Sequence, residues 1–336
     1  MSMYDFDVLV TGSAGHLGHA LMLVLPSLGY KPLGIDILPS TTTTFVGSFA
    51  DRSFVSHILA NNLKIKHVIH AGGLHKPHVI SHTKEDFVNT NIVGTMVLVD
   101  EVSKRNRDIN FVLVSTTSAF GSVLSPVEGE PAMWVDENLT PAPKNIYGVS
   151  KIAAEDICYL FHQQTGIPVV VLRVSRFFPQ PDDDEMKRNV MCNDNLKVLE
   201  LGYRRVDIYD VVQSCVAAAE KAQDIRWGRY VISAPTPFSK DDSTLRRLNT
   251  DAEGLLKDIM PRCSEVFDKK GWKSLNLIDR VYDSSKAQKE LGWKPEFTLE
   301  AALDRIERGE DWRSGLAIMV GRRGYHSVST AFYTAR

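Results

Sequence analysis

The sequence predicts an α/β fold built on a doubly wound parallel β-sheet, and three observations support this prediction. Apolar runs of strand length alternate with stretches of helical periodicity through the first half of the 336-residue chain. The apolar run 6–10 leads into a glycine-rich turn, residues 11–18, and a second apolar run, residues 20–25, leaves that turn. Residues 32–37 then read as another strand that ends in an acid, about 20 residues past the glycines. This order is typical of parallel strands joined by crossover helices.

The glycine-rich turn has the properties of a phosphate-binding turn that opens a helix. Gly12, Gly15 and Gly18 stand where side chains would block a ligand, and the helix aims its first N–H groups and its positive dipole end at a phosphate. A dinucleotide is the natural ligand, and Asp36 can hold two ribose hydroxyls. Because a carboxylate repels the 2′-phosphate of NADP and no arginine follows closely, NAD is the expected cofactor. The cofactor contacts expected here are Gly12, Ala14, Gly15, His16, Leu17, Gly18, Asp36 and Ile37.

The rest of the first half continues the alternation of strands and helices. Helices are expected at residues 51–63, 85–102 and 147–163, and strands at residues 66–70, 111–114 and 168–173. The first of these strands runs into Ala71, Gly72 and Gly73, small residues that let the backbone approach a cofactor. The second ends in hydroxyl residues from Ser115 onward, at the carboxyl edge of the sheet where ligands of open α/β folds bind.

The regular alternation weakens beyond residue 178, which predicts a domain boundary. We expect a Rossmann-type NAD-binding domain over residues 1–178 and a smaller, mainly substrate-binding α/β domain over residues 179–336, with residues 203–234 returning to the first core. In the second part we expect a strand-then-helix pattern at 203–222, a strand at 229–233 and a helix at 244–259. Residues 181–185 read as a solvated acidic turn, and residues 305–336 carry no structural prediction.

The composition favours a small-molecule ligand over a macromolecular one. A formal net charge of -2 and an isoelectric point near 6.6 give no electrostatic reason to expect nucleic acid or an anionic membrane as partner. The four cysteines are far apart in sequence and indicate neither a disulfide framework nor a zinc site. Since there is no signal-peptide pattern and no apolar run long enough to span a bilayer, we expect a cytoplasmic location.

A tyrosine and a lysine four residues apart are the candidate catalytic pair. Tyr147 and Lys151 fall on one face of the helix expected at 147–163. The nearby cation favours phenolate, which predicts a lowered pKa for Tyr147 and a role as acid and base toward an alcohol or carbonyl. The hydroxyl of Thr116 can hold the same substrate oxygen.

Short motifs spread over nearly the whole chain accompany this pair. They are Gly12, Gly15 and Gly18 with Asp36; His70-Ala71-Gly72-Gly73-Leu74; Asn91-Ile92-Val93-Gly94-Thr95; Ser115-Thr116-Thr117-Ser118-Ala119-Phe120-Gly121; Tyr147-Gly148-Val149-Ser150-Lys151 with Glu155; Leu172-Arg173; and Asp283-Ser284-Ser285-Lys286-Ala287 with Leu291-Gly292-Trp293. With these motifs the chain resembles the extended short-chain dehydrogenase/reductases, the NAD-dependent epimerase/dehydratase family that includes the UDP-galactose 4-epimerases.

The resemblance assigns roles to the catalytic candidates. It implies that Tyr147 is the general base, that Lys151 also binds the nicotinamide ribose, and that Thr116 fills the serine or threonine position of the triad. The further cofactor contacts that it implies are Ala71, Gly72, Gly73, Asn91, Ser115, Tyr147 and Lys151.

One departure from the family bears on the reaction. The resemblance implies that family members that dehydrate or decarboxylate a sugar place Asp or Glu directly after the triad threonine. In this chain Thr117 and Ser118 follow Thr116 instead. Neither side chain can act as an acid near neutral pH, which disfavours dehydration and leaves redox at a carbinol. Epimerisation is such a redox step performed twice.

A second departure bears on the substrate. Nucleotide-sugar enzymes of the family usually carry an Asn and a Gly-Pro after the Leu-Arg strand, and this chain does not. Arg176 could replace the Asn as a diphosphate contact, and Arg204 and Arg205 lie near family positions that meet the substrate, so an anionic substrate is one alternative. The aromatic pair Phe177 and Phe178 could equally line a pocket for an apolar substrate.

Four histidines, His70, His75, His78 and His82, raise the question of a metal. His75, His78 and His82 have helix-compatible spacing, but no Cys or acid completes the set before Glu85, so no metal is expected. A polar contact from His75 or Lys76 to cofactor phosphate or substrate is favoured instead. The expected substrate contacts are His75, Thr117, Arg176, Arg204 and Arg205.

These observations lead to one principal functional hypothesis. It is an NAD-dependent epimerase or dehydrogenase that acts on a secondary alcohol of a sugar or nucleotide sugar. The alternative is a reductase or dehydrogenase of a non-nucleotide alcohol or ketone; a sugar dehydratase or a non-catalytic NAD-binding protein is less favoured. Apolar residues spread over more than one face of the helices at 85–102 and 147–163, and by family resemblance these helices would join a homodimer.

Overall fold

A parallel β-sheet of seven strands organises the fold. The computed structural model describes residues 5–106, 108–127, 129–181 and 189–323. The described strands are β1 (Val8–Thr11), β2 (Pro32–Asp36), β3 (Phe45–Val46), β4 (His67–His70), β5 (Asn110–Thr116), β6 (Met133–Val135), β7 (Val169–Val174), β8 (Trp227–Ile232) and β9 (Arg280–Tyr282). The main sheet has the order β3-β2-β1-β4-β5-β7-β8 with every neighbouring pair parallel, and β6 pairs with β9 in a small separate sheet. The predicted doubly wound parallel sheet is confirmed.

The strand order places a ligand site at β1. The chain builds outward from β1 through β2 to β3 and then returns to the other side of β1 with β4. Thr11 at the end of β1 pairs with Ile35 on one side and with His70 on the other. Connections leave in opposite directions at this point, which opens a crevice at the carboxyl ends of the strands.

Helices cover both faces of the main sheet and build the second half of the chain. They are α1 (His16–Val24), α2 (Arg52–Asn61), α3 (Lys84–Phe87), α4 (Gly94–Arg105), α5 (Ile146–Thr165), α6 (Asn193–Glu200), α7 (Ile208–Ile225), α8 (Asp242–Leu248), α9 (Ala252–Ile259), α10 (Pro261–Lys270), α11 (Ser285–Leu291), α12 (Leu299–Glu307) and α13 (Gly315–Val320). A π-helical segment, Val88–Val93, joins α3 to α4, so the helix expected at 85–102 is a continuous run with one widened turn.

Apolar cores lie on both faces of the main sheet and in the second half of the chain. Residues of α1, α7 and α13 pack on one face of the main sheet, and residues of α2, α4 and α5 pack on the other face. A separate core joins α6, α8, α9, α10 and α12 to strand β9. Within the described ranges, no helix is both long enough and apolar enough to cross a membrane.

Two local predictions for the second half are wrong. No strand precedes α7 in the expected 203–222 pattern, because residues 201–204 form turns and only Arg205 makes an isolated bridge, to Arg176. The helix expected at 244–259 is two helices, since α8 ends at Leu248 with Asn249 as its C-cap, and Asp251 caps α9 by accepting a hydrogen bond from the Gly254 N–H. The strand expected at 229–233 is present as β8. The acidic residues from 182 onward lie outside the described residues.

Candidate active site

A cleft of about 370 Å³ lies at the carboxyl ends of β1, β4, β5 and β7. It contains all three catalytic candidates, Thr116, Tyr147 and Lys151. The predicted cofactor contacts that line it are Gly12, Gly15, His16, Leu17, Gly18, Asp36, Ile37, Ala71, Gly72, Gly73, Ser115, Tyr147 and Lys151. The tertiary structure thus brings together residues that are far apart in sequence.

The glycine-rich turn packs so tightly that side chains have no room. Gly12 has φ of +72°, and a Cβ on it would lie 2.6 Å from the Gly72 Cα. A Cβ on Gly18 would lie 2.0 Å from the Gly12 carbonyl oxygen. The turn, the loop after β4 and the start of α1 therefore pack backbone against backbone. This close packing leaves the N-terminal end of α1 open to the cleft.

Asp36 ends β2 at the edge of the same cleft. Its Oδ2 accepts a hydrogen bond from the Ala14 N–H at 3.0 Å, and its Oδ1 accepts one from the Leu38 N–H at 2.9 Å. A carboxylate can accept about four hydrogen bonds, so these two leave capacity for ligand hydroxyls. Ala14 itself faces Asp36 through its backbone. Ile37 is 66% exposed beside the carboxylate.

The catalytic candidates converge from β5 and from the start of α5. Asn145 caps α5 by accepting a hydrogen bond from the Gly148 N–H at 3.0 Å, which sets the first turn that carries Tyr147. Thr116, the last residue of β5, hydrogen-bonds the Tyr147 hydroxyl. Lys151 follows one turn later on α5 and is buried.

The protonation states of this pair differ from the sequence-based expectation. Burial raises the pKa of Tyr147 to about 12, and only the hydrogen bond with Thr116 opposes it. Burial lowers the pKa of Lys151 to about 8, against the attraction of the Glu155 carboxylate. The predicted lowering of the Tyr147 pKa by Lys151 is therefore wrong for the protein alone, because desolvation outweighs it.

A buried ion pair lies directly behind the triad. The Ser115 hydroxyl donates to Glu155 Oε1 at 2.5 Å, and Arg173 Nη2 donates to Glu155 Oε2 at 2.8 Å. Both charged side chains are at most 4% exposed. Because Ser115 belongs to β5, Glu155 to α5 and Arg173 to β7, the pair locks the three elements that carry the site.

Asn91, expected as a cofactor contact, has a different position. Its amide oxygen accepts from the Leu74 N–H, and its amide nitrogen donates to the Leu74 carbonyl and to the Ser150 hydroxyl. The side chain is 2% exposed and does not line the cleft among the described residues. The structure places it behind the loop after β4, where it holds that loop against α5.

Aromatic rings close one side of the cleft. His16 lies against Phe177 and Phe178 at ring-centroid distances of 5.9 and 5.4 Å, and His75 meets Phe178 edge-on at 5.4 Å. His75 lines the cleft. The backbone N–H of His75 donates a hydrogen bond to His78 Nδ1 at 2.9 Å. In the part of the chain that the structure describes, no three His, Cys, Asp or Glu side chains are grouped to hold a metal.

The other four expected substrate contacts are not among the described residues that line this cleft. Arg204 and Arg205 are buried on either side of Glu200, which accepts hydrogen bonds from the Nε atoms of both at 2.9 and 2.7 Å. Their charges and that of Arg176 hold the pKa of the Glu200 carboxyl well below its usual range despite burial. Thr117 is 8% exposed at the start of a 3₁₀ turn. None of these four expected contacts lines the cleft within the described residues.

The cleft also contains residues that the sequence did not single out. Phe49 packs edge-on against His70 at a ring-centroid distance of 4.8 Å and lies beside Gly72. Ser175, at the end of β7, is 4% exposed and its hydroxyl has no hydrogen-bond partner among the described residues. The short Gly47-Ser48-Phe49 turn before α2 is a sequence pattern that could have indicated Phe49 as a cleft residue. No local pattern marks Ser175.

Comparisons with known proteins agree with this fold and site. The family model described as the NAD dependent epimerase/dehydratase family matches residues 8–232. A dTDP-glucose 4,6-dehydratase of Xanthomonas campestris pv. campestris (strain B100) is 25% identical over 333 residues, covering 88% of this chain and 90% of that protein. A putative UDP-glucose 4-epimerase of Methanocaldococcus jannaschii is 24% identical, covering 89% and 96%.

Solved structures show the same fold. The UDP-glucose 4-epimerase from Thermotoga maritima, with UDP-glucose, is 21% identical with a TM-score of 0.60, covering 90% of this chain and 99% of that chain. A UDP-glucuronic acid 4-epimerase from Bacillus cereus, in complex with UDP-glucuronic acid and NAD, is 21% identical with a TM-score of 0.58, covering 90% and 99%. The predicted family is confirmed: this chain belongs to the NAD-dependent epimerase/dehydratase family, whose members are enzymes of the extended short-chain dehydrogenase/reductase type.

Proposed function

We propose that this enzyme oxidises a secondary alcohol of a sugar nucleotide, as an epimerase or a dehydrogenase. The observation that carries the proposal is the convergence of Thr116, Tyr147 and Lys151 in one cleft below the glycine-rich turn. Their juxtaposition supplies an oxygen-binding hydroxyl, a proton donor and acceptor, and a cation. Such a set suits redox chemistry at a carbinol.

The residues of the cleft fit NAD. The glycine-rich turn leaves the backbone accessible, and Asp36 retains hydrogen-bonding capacity for ribose hydroxyls. Two buried polar atoms at the cleft, His16 Nδ1 and Ser175 Oγ, have no hydrogen-bond partner among the described residues, as expected where a polar ligand completes the site. When bound, NAD supplies the hydride acceptor and the positive charge of its oxidised ring.

The protein side of the reaction is a proton transfer at Tyr147. On oxidation, the Tyr147 oxygen takes the proton of the substrate hydroxyl; on reduction, it returns a proton to the carbonyl oxygen. Thr116 hydrogen-bonds the same oxygen and keeps it beside Tyr147. Lys151 lies one helical turn away, where its ammonium group would bind the nicotinamide ribose of NAD. The Glu155 and Arg173 pair keeps these elements in register.

The residues after Thr116 support redox over dehydration. Thr117 and Ser118 offer no acid of useful pKa at the position that follows the triad threonine. The names of the relatives favour dehydration as a competing reaction, since several are dTDP-glucose 4,6-dehydratases. Loss of water from a sugar needs an acid for the departing hydroxyl, and another cleft residue, such as Asp86, would have to provide it.

A sugar nucleotide is the proposed substrate class. Relatives and structural neighbours carry UDP-sugar or dTDP-sugar names, and the three arginines around Glu200 give an excess of positive charge next to the segment after β7. We keep His75, Thr117, Arg176, Arg204 and Arg205 as proposed substrate contacts. Because Arg204 and Arg205 are buried against Glu200, a substrate has to reach them from the side that faces away from Glu200.

The test is product analysis with a panel of UDP-sugars and dTDP-sugars, each incubated with purified protein with and without added NAD. An epimerase forms an epimer without added NAD, a dehydrogenase forms NADH in proportion to product, and a dehydratase forms a keto-deoxy sugar. The proposal requires one of the first two outcomes, and their absence from the Tyr147→Phe variant. A keto-deoxy product, or equal turnover by the variant, contradicts it.

We also propose a homodimer joined through the α3–α4 run and α5. The described parts of these helices leave large apolar side chains at least 37% exposed: Val88, Val93, Met96, Val149, Tyr159 and Leu160. Apolar side chains grouped on neighbouring helices are typical of a protein interface.

A further inference from the structure

Arg323 reaches the glycine-rich turn from the far end of the chain. Leu316 and Val320 of α13 pack in the same core as Leu17 of α1, which fixes α13 across the first helix. The chain then continues past α13, and Arg323 Nε donates a hydrogen bond to the Ala14 carbonyl at 3.3 Å. Ala14 lies between Gly12 and Gly15, both of which line the cleft, whereas Arg323 is not among the described lining residues and lies at the edge of the cleft behind Ala14.

The charge of Arg323 is poorly compensated in this position. Among the residues that the structure describes, no carboxylate forms an ion pair or hydrogen bond with it. Burial lowers the pKa of Arg323, and burial is also the main cause of the lowered pKa of His16 and of His19, to which the positive charge of Arg323 adds. The guanidinium also lies near the positive end of the α1 dipole. The guanidinium and the N-terminal end of α1 are both positive, and within the described ranges no carboxylate pairs with the guanidinium, so an anion bound here would be stabilised.

His16 provides an independent sign of a ligand at the same place. Its side chain is 5% exposed, lines the cleft, and has an Nδ1 atom without a hydrogen-bond partner in the described ranges. The rings of Phe177 and Phe178 fix its orientation. An imidazole nitrogen that is buried and unsatisfied costs free energy unless a ligand pairs with it.

We infer that Arg323 is a cofactor-binding residue that contacts the diphosphate of bound NAD, with His16 Nδ1 hydrogen-bonding the same group. The inference rests on the proposed NAD site. A diphosphate carries the negative charge that this position lacks, and Arg323 and His16 both lie beside the N-terminal end of α1, where a phosphate binds. The contact would couple the C-terminal segment of the chain to cofactor affinity.

Calorimetric titration of the full-length protein, freed of bound nucleotide, tests this inference. The ligands are NAD, NADP, ADP and adenosine, at low and high salt. We expect Arg323→Gln to bind NAD and ADP about tenfold more weakly, to leave adenosine affinity unchanged, and to lose part of the salt dependence. His16→Phe, which keeps the ring packing, should weaken NAD and ADP in the same way. Arg322→Gln, an exposed neighbour in the same segment, is the matched control and should bind like the wild type.

Three outcomes overturn the inference while the proposed function stands. The first is wild-type affinity of Arg323→Gln for NAD and ADP. The second is a loss of adenosine affinity equal to the loss of NAD affinity, which would show that Arg323 only shapes the turn through Ala14. The third is a loss confined to NADP, which would place the guanidinium at a 2′-phosphate. Failure of the wild type to bind NAD would overturn the inference and the proposed function together.

Discussion

The Asn91 side chain satisfies both backbone polar groups of Leu74. Its Oδ1 accepts from the Leu74 N–H at 2.8 Å, and its Nδ2 donates to the Leu74 carbonyl at 2.8 Å. The same nitrogen donates to the Ser150 hydroxyl at 2.9 Å. Asn91 therefore links the loop that lines the cleft to the helix that carries Tyr147, and its role is to position both.

Asn91→Asp should lower the free energy of unfolding by about 2 kcal/mol, because a carboxylate cannot donate to Leu74 and remains buried. NAD affinity should fall as well, since the loop after β4 loses its support. Urea unfolding and NAD titration measure the two effects. Asn89→Asp, an exposed position on the same helical run, is the matched control. Equal behaviour of the two variants would contradict the positioning role.

Lys151→Met should stabilise the protein without cofactor while it abolishes turnover. The pKa of Lys151 falls from 10.5 to about 8 on folding, so between these pH values the unfolded chain binds the extra proton and wild-type stability rises with pH. Below pH 8 the buried charge costs about 3 kcal/mol. Thermal unfolding from pH 7 to pH 10.5 should show an advantage for Lys151→Met that shrinks as the pH rises. An advantage independent of pH would indicate a packing effect instead.

Tyr147→Phe should leave NAD affinity nearly intact and reduce turnover by about 10² or more, because it removes only the proton-transferring hydroxyl. Steady-state kinetics on the substrate found in the panel and an NAD titration separate the two effects. Tyr30→Phe, which removes a hydroxyl that donates to Glu220 outside the cleft, is the control. Retention of most of the activity by Tyr147→Phe would exclude the proposed mechanism.

The wild type should bind NAD more tightly than NADP, because a 2′-phosphate would have to approach the Asp36 carboxylate. Asp36→Asn removes that repulsion and should narrow the difference between the two cofactors by about tenfold, mainly through weaker NAD binding and better NADP binding. Calorimetry with both cofactors measures it. Equal or tighter NADP binding by the wild type would refute the role of Asp36.

Met96→Asp should dissociate the proposed dimer, because an unpaired carboxylate is costly in an apolar interface. Met96 is 37% exposed on α4. Light scattering at micromolar concentration gives the oligomeric state of each variant. Met319→Asp introduces the same charge at an exposed methionine on α13 and should leave the dimer intact. A monomeric wild type would reject the interface.

Local sequence patterns were sufficient to predict the parts of the fold that depend on residues close together in the chain. Gly12 and Asp36 lie in one strand-turn-helix-strand unit, and Tyr147 and Lys151 lie one helical turn apart, so spacing alone predicts their proximity. The parallel sheet follows in the same way from the alternation of apolar runs. Family membership rests on these motifs and on the match over residues 8–232.

The tertiary structure decided what depends on burial and on contacts between distant segments. The direction of the Tyr147 pKa follows from desolvation, which a helix spacing does not report. Whether Asn91 faces the cleft or Leu74, and whether Arg204 and Arg205 face the cleft or Glu200, depends on how separate elements pack. Arg323 lies beside Ala14 only because α13 packs across α1, a contact between residues that no local pattern relates.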